Sequence, residues 1–186
     1  MIGHLPESLT VCGSDIPINA DFRNVLTIFE AFADPELTEY EKALVCISRL
    51  YLLAPSKANI AEEAIKQAFW FLNGGDMPKS KPEQVRMIDW KHDEQMILPA
   101  VSKTMGVVDI RSLPYLHWWT FLGAFGEIGD GLFSQVVHIR HKMNHGKKLD
   151  KTEKEFLKNN KELIKLRTPE ELAAIAETEA FLKTLI

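Results

Sequence analysis

A mostly α-helical domain of about seven or eight helices, led by a short β-hairpin, is the fold this sequence predicts. Three observations carry that reading. Apolar residues recur at steps of three and four through most of the chain. Helix-start and helix-stop residues bracket those stretches. Only the N-terminal stretch has the composition of strands around a tight turn. With 186 residues, 46% of them hydrophobic, the chain can bury a core without disulfide staples. It reads as a single helical domain, with a loop at about 73–84 separating an N-terminal from a C-terminal subregion.

Leu9 to Cys12 is short and β-prone, Gly13-Ser14 offers a two-residue turn, and Ile16 to Ile18 returns. Pro17 makes the returning strand an edge strand, because proline has no N–H to give a ladder. A first helix follows Asp21, with Phe22, Val25, Leu26, Phe29 and Phe32 on one stripe. Asp34-Pro35 stops it. Thr38 and Glu41 form a capping box for a second helix, whose stripe is Tyr40, Ala43, Leu44, Ile47, Leu50 and Tyr51. A third runs from about Asn59 to Leu72, with Ile60, Ala64, Ala68, Phe69 and Leu72 inward. Asn73-Gly74-Gly75 ends it, since both residue types tolerate the left-handed region.

Beyond the loop, Asp93 is placed to cap a helix reaching Met105. Pro99 should kink it or delay its start, and Gly106 ends it. Ser112-Leu113-Pro114 reads as a cap and proline opening a helix through Trp118, Trp119, Phe121, Leu122 and Phe125. The Gly129 to Gly131 stretch breaks that helix. Ser134 is the expected cap of the next, which ends near His145-Gly146. Asp150 with Glu153 caps a further helix carrying Phe156, Leu157, Leu163 and Ile164. Thr168-Pro169-Glu170-Glu171 starts a last one, with Leu172, Ile175, Ala176 and Phe181 inward.

Composition excludes several classes. No apolar run approaches the roughly 18 residues of a membrane span, and no secretory signal opens the chain. Two cysteines outside any CxxC exclude a disulfide framework. Both Cys12 and Cys46 read as buried, inert thiols. The net charge of −4 is unevenly placed. Residues Arg140 to Arg167 hold ten basic and four acidic side chains, a local +6, and the remainder carries −10. Such a block marks either an anionic partner's site or a solvated helix face.

The signals for chemistry are weak. His138, His141 and His145 share a helical face and could hold a metal ion. The HExxH pattern is absent, however, and the neighbouring Arg140, Lys142, Lys147 and Lys148 would repel a cation, so no metal is assigned. There is no GxSxG elbow. Gly123, Gly126, Gly129 and Gly131 interrupt an apolar helix instead of joining a strand to a helix, so the dinucleotide fingerprint fails. Asp89, Asp93, Asp109 and Asp130 read as caps and turn residues more readily than as an acid cluster. The sequence therefore implies no catalytic residue and no cofactor. The outstanding stretch is Leu116 to Phe125, apolar on every side. Such a helix is central to a core or forms a binding surface. Gly123 and Gly126 would admit a neighbouring helix closely.

Several short pieces then fall in a recognisable order. They are Ile18-Asn19-Ala20-Asp21-Phe22-Arg23, Phe71-Leu72-Asn73-Gly74-Gly75, Asp109-Ile110-Arg111, Leu116-His117-Trp118-Trp119-Thr120-Phe121 and Ile139-Arg140. With these the sequence resembles a small family encoded in the tail-morphogenesis module of siphophages and prophages of low-GC Gram-positive bacteria. The likeness covers about Val11 to Asn160. Ala20 departs from the hydroxyl residue of the pattern. Family members lie between the major tail-tube and tape-measure genes. That position implies a non-enzymatic tail assembly chaperone in the host cytoplasm, holding the apolar helices of the tape-measure protein until tube subunits arrive. The implied partners are the tape-measure and tail-tube assembly proteins, with self-association as a further possibility and no membrane. Expected contact residues are Trp118, Trp119, Phe121, Phe125, Arg140 and Lys147. Two alternatives stay open: a nucleic-acid-binding protein using 140–167, and a metal-dependent enzyme using His138, His141 and His145.

Overall fold

A computed structural model describes residues 3–53, 58–77 and 87–166. The chain opens with a hairpin of β1 (Ser8–Val11) and β2 (Ser14–Pro17), paired antiparallel with Val11 opposite Ser14. The turn is therefore Cys12-Gly13, one residue earlier than expected. Both residues have positive φ, 48° and 79°, which is the twist a two-residue hairpin turn needs. The Cys12 N–H donates to the Glu63 carboxylate at 3.1 Å, tying the turn to the third helix.

Eight α-helices follow among the described residues: α1 (Phe22–Ala33), α2 (Glu39–Leu50), α3 (Ala58–Leu72), α4 (Glu94–Met105), α5 (Trp118–Gly126), α6 (Leu132–Asn144), α7 (Lys151–Asn159) and α8 (Lys161–Ile164). A 3-10 turn spans Ile110–Ser112. The expected helical fold with its leading hairpin is thus present. The start predicted at Thr168 lies outside the described residues, as does most of the 73–84 loop.

Where a boundary is set by local chemistry, sequence and structure agree. Asp21 caps α1. Thr38 and Glu41, and then Asp150 and Glu153, form reciprocal capping boxes. Gly74, Gly75 and Gly106 take positive φ at helix ends. Five features differ. Asp93 precedes α4 but makes no cap bond, because its carboxylate is bound elsewhere. α4 is continuous through Pro99, which is exposed and costs only one intrahelical bond. Ser112 ends the 3-10 turn capped by Asp109, and α5 starts later, capped by His117. Gly131, not Ser134, precedes α6; the Ser134 hydroxyl donates back to the Gly129 carbonyl. The predicted helix after Asp150 breaks at Asn160 into α7 and α8.

The elements pack in a sequence of layers. β1 lies on α3; α3 packs on α2, α2 on α1, α1 on α5, α5 on α4, α4 on α6, and α6 on α8, with α7 beside α8. The buried side chains form one hydrophobic cluster drawing on both sides of the 73–84 loop, from Leu9 to Ile164. α2 is rotated relative to its predicted stripe: Cys46 and Leu50 face inward, while Tyr40 and Leu44 are exposed. No described helix is long and apolar enough to cross a membrane.

Candidate functional site

Three of the recognisable sequence pieces, 18–23, 71–75 and 116–121, meet at one joint between the two parts of the chain. Asp21 works at its centre. One carboxylate oxygen accepts the Arg23 N–H at 2.9 Å and caps α1. The other accepts the Leu116 N–H at 3.2 Å. Phe22 N–H donates to the Leu116 carbonyl, and Trp118 N–H to the Ala20 carbonyl, so the entries to α1 and α5 lie antiparallel. Arg23 adds a bond to the Leu113 carbonyl at 2.6 Å.

His117 locks the same joint. Its Nδ1 accepts the Trp119 N–H at 3.0 Å and caps α5. Its Nε2 lies 3.0 Å from the Pro6 carbonyl. A carbonyl only accepts, so Nε2 is the donor to Pro6 while Nδ1 accepts from Trp119.

The adjacent tryptophans act together on the end of α3. A helix leaves its last carbonyls without intrahelical donors. Trp118 donates its indole N–H to the Leu72 carbonyl at 2.9 Å, and Trp119 to the Phe71 carbonyl at 2.8 Å. The rings point about 100° apart on α5, so one seals the core and the other wraps the helix end. Trp118 is 1% exposed and stacks on Phe121 with centroids 5.4 Å apart. Trp119 is half-buried against Trp70 and Phe71. At Gly75, φ is 96° and an added Cβ would sit 3.1 Å from Trp119 Cη2. Only glycine meets both demands there.

The placement of the six expected contact residues follows from this. Trp118 and Phe121 are core, Phe125 is half-buried over Trp90 and Phe133, and Trp119 is engaged with α3. These aromatic side chains hold the fold; Trp118 and Phe121 offer no surface to a partner, while Trp119 and Phe125 are only partly covered. α5 is also less uniformly apolar in place than in sequence. Its exposed face is Thr120, Gly123 and Gly126, and among the described residues no helix approaches the two glycines.

Arg140 is likewise inside. It is 3% exposed and Asp93 0%. The guanidinium makes a two-pronged pair with the Asp93 carboxylate at 2.6 and 2.8 Å. It also donates to the carbonyls of Met87, Leu163 and Ile164. α6, α4, the approach to α4 and the end of α8 are thereby joined by one side chain. Such a planar fork suits arginine and not lysine. Sequence reasoning missed this role, although Phe133, Val136 and Arg140 fall on one helical stripe. Of the six, Lys147 is the fully exposed one.

The three histidines do not converge. His138 Nε2 meets the Glu153 carboxylate at 3.1 Å, and Lys142 shares the same oxygen at 2.6 Å. The Lys142 ammonium first, and then the Asp150 N–H, hold Glu153 below the usual carboxylate range. His141 and His145 stack on each other with centroids 4.2 Å apart. Desolvation, then the His145 ring, lowers His141 below its ordinary value. Among the described residues no group of three His, Cys, Asp or Glu is placed to hold a metal ion.

The thiols differ from expectation at Cys12, which is exposed, whereas Cys46 is buried. Burial pushes Cys46 up to about 12. Cys12 is raised chiefly by its hydrogen bond to Glu63, 3.1 Å from Sγ. A thiol reagent should therefore label Cys12 slowly in the native protein and Cys46 only after unfolding. Glu63→Gln should speed Cys12 labelling, as followed by mass spectrometry at mildly alkaline pH. An unchanged rate would remove Glu63 as the cause.

The surface carries apolar side chains elsewhere. Tyr40 and Leu44, one turn apart on α2, are 72% and 47% exposed. Leu52 and Leu53, just past α2, are 63% and 65% exposed. Glu36, Glu39 and Glu41 flank them and are exposed.

No curated protein and no solved structure matches this chain. A family model does, and its span takes in the Asp21–Leu116 joint, the tryptophan-capped end of α3 and the Arg140–Asp93 pair. The model described as Bacteriophage Gp15 protein matches residues 1–166, and the chain belongs to that family.

Proposed function

We propose that this phage protein is a non-enzymatic tail assembly chaperone that holds apolar helices of the tape-measure protein in the host cytoplasm before the tube closes around them. The observation that carries the reading is the exposed apolar flank of α2 and its continuation, Tyr40, Leu44, Leu52 and Leu53. Four large apolar side chains within fourteen residues, rimmed by glutamates, suit the apolar stripe of a partner helix. The tail-module resemblance supplies the partner. The aromatic and arginine motifs then keep the scaffold rigid, while contact falls on α2.

Co-expression tests this. The chain should raise the soluble fraction of the tape-measure protein and co-purify with it. Tyr40→Ser/Leu44→Ser should lower the unfolding midpoint only modestly, because Tyr40 is mostly and Leu44 about half exposed, and should lose the rescue. Absence of rescue by the wild-type chain would sink the chaperone reading. Rescue left intact in the double variant would remove α2 as the contact.

A further inference from the structure

Charge on this molecule is divided between two ends that the fold keeps apart. Residues 3–53 and 58–77, which build the hairpin and α1 to α3, hold eleven acidic and four basic side chains. Residues 140–166, which finish α6 and build α7 and α8, hold nine basic and four acidic. Packing runs from α2 through α1, α5, α4 and α6 to α8, so α4 and α5 lie between the two ends. A net −7 and a net +5 thus belong to parts of the fold that do not pack extensively on each other.

The basic end is a free surface only in part. Arg140 is consumed inside the fold and Lys142 pairs with Glu153. Lys147, Lys148, Lys151, Lys154, Lys158 and Lys161 remain exposed. Lys151, Lys154 and Lys158, at steps of three and four, share the outer side of α7 with the exposed Glu155, opposite the half-buried Glu153 and Leu157. No ion pair to any of the three occurs among the described residues. At the other end Glu30 and Glu36 are exposed beside the turn from α1 to α2.

We propose that the chain binds a second copy of itself head to tail, the lysine face of α7 on one copy meeting the Glu30–Glu36 end of the next. Glu155 offsets one of the three lysines, so the face keeps a net positive charge that a complementary acidic face would balance. The two faces are different surfaces of one chain, so the contact is heterologous and adds copies in a row or a closed ring. Nucleic acid fits the lysine face less well. The one arginine of 140–166 is buried there, no Phe, Tyr or Trp side chain lies exposed among the lysines, the exposed His141 and His145 rings stack on each other, and the acidic end repels a polyanion.

This inference stands apart from the tape-measure reading, because its test needs the chain alone. Sedimentation velocity of the full chain should show a coefficient rising with protein concentration at about 20 mM salt and collapsing to the monomer at about 500 mM, where charge is screened within a few ångströms. Lys151→Glu/Lys154→Glu/Lys158→Glu and Glu30→Lys/Glu36→Lys should each stay monomeric alone. Mixed in equal amounts, the two variants should associate again. A wild-type chain monomeric at every concentration and salt would overturn the proposal. So would association that survives either reversal, or reversed variants that fail to associate when mixed. Binding of a labelled DNA duplex by the wild-type monomer at low salt, lost in the lysine variant, would reassign that face to nucleic acid and overturn it as well.

Discussion

Trp118→Ala is expected to lower the unfolding free energy by about 3–5 kcal/mol, the range for truncating a large buried aromatic side chain. Two losses combine. The ring is 1% exposed and packs against Phe29, Trp90 and Phe121, with centroids 5.4–6.0 Å away. Its indole N–H is also the donor to the Leu72 carbonyl at the end of α3. Trp118→Phe separates the two, retaining most of the apolar contact and removing the donor. It should cost about 1–3 kcal/mol, the penalty of a buried acceptor left without its partner. Urea unfolding of both variants checks this. A loss below about 1 kcal/mol for Trp118→Ala would contradict its place in the core.

Arg140→Met should be of similar size, again about 3–5 kcal/mol, for a different reason. The substitution leaves the Asp93 carboxylate charged and fully buried without its cation. It also strips donors from the carbonyls of Met87, Leu163 and Ile164. Arg140→Met/Asp93→Leu removes the orphaned charge but not the orphaned carbonyls. The double variant should therefore recover part of the loss, with faster amide exchange persisting in α7 and α8. If the double variant is no more stable than Arg140→Met, the buried carboxylate is not the main cost. Arg140→Lys should not rescue, because an ammonium cannot serve the same five bonds in a plane.

Both predictions concern residues that stood out in the sequence as candidate contacts, and the reason lies in what a sequence encodes locally. Thr38 with Glu41, Asp150 with Glu153, and the glycines at 74, 75 and 106 were legible because each acts within a few residues of itself. The helical periodicity was equally legible. The face each helix buries was not. In α2 the inward side is set by α1 and α3, which turn Cys46 and Leu50 inward and leave Tyr40 and Leu44 outside. The cap of α5 was missed because His117 is an unusual N-cap and Ser112 a common one.

Arg140 was misplaced for a related reason. Isolated arginines belong at surfaces, and its partner Asp93 lies forty-seven residues away with the look of an ordinary cap. The tryptophan pair gave the opposite difficulty. Its composition announced importance, but core and contact surface leave the same trace in a sequence. Only the two carbonyls at the end of α3 show that the pair closes a helix. The candidate contact on α2 was hidden within a stripe that read as core.

The family motifs thus build a scaffold, and four exposed apolar side chains sit on α2 and just past it. Amide hydrogen exchange of the chain with and without the tape-measure protein tests this most directly. The account predicts new protection over residues 39–53, with the already protected start of α5 unchanged. New protection confined to 116–126, with α2 exchanging as in the free chain, would contradict it.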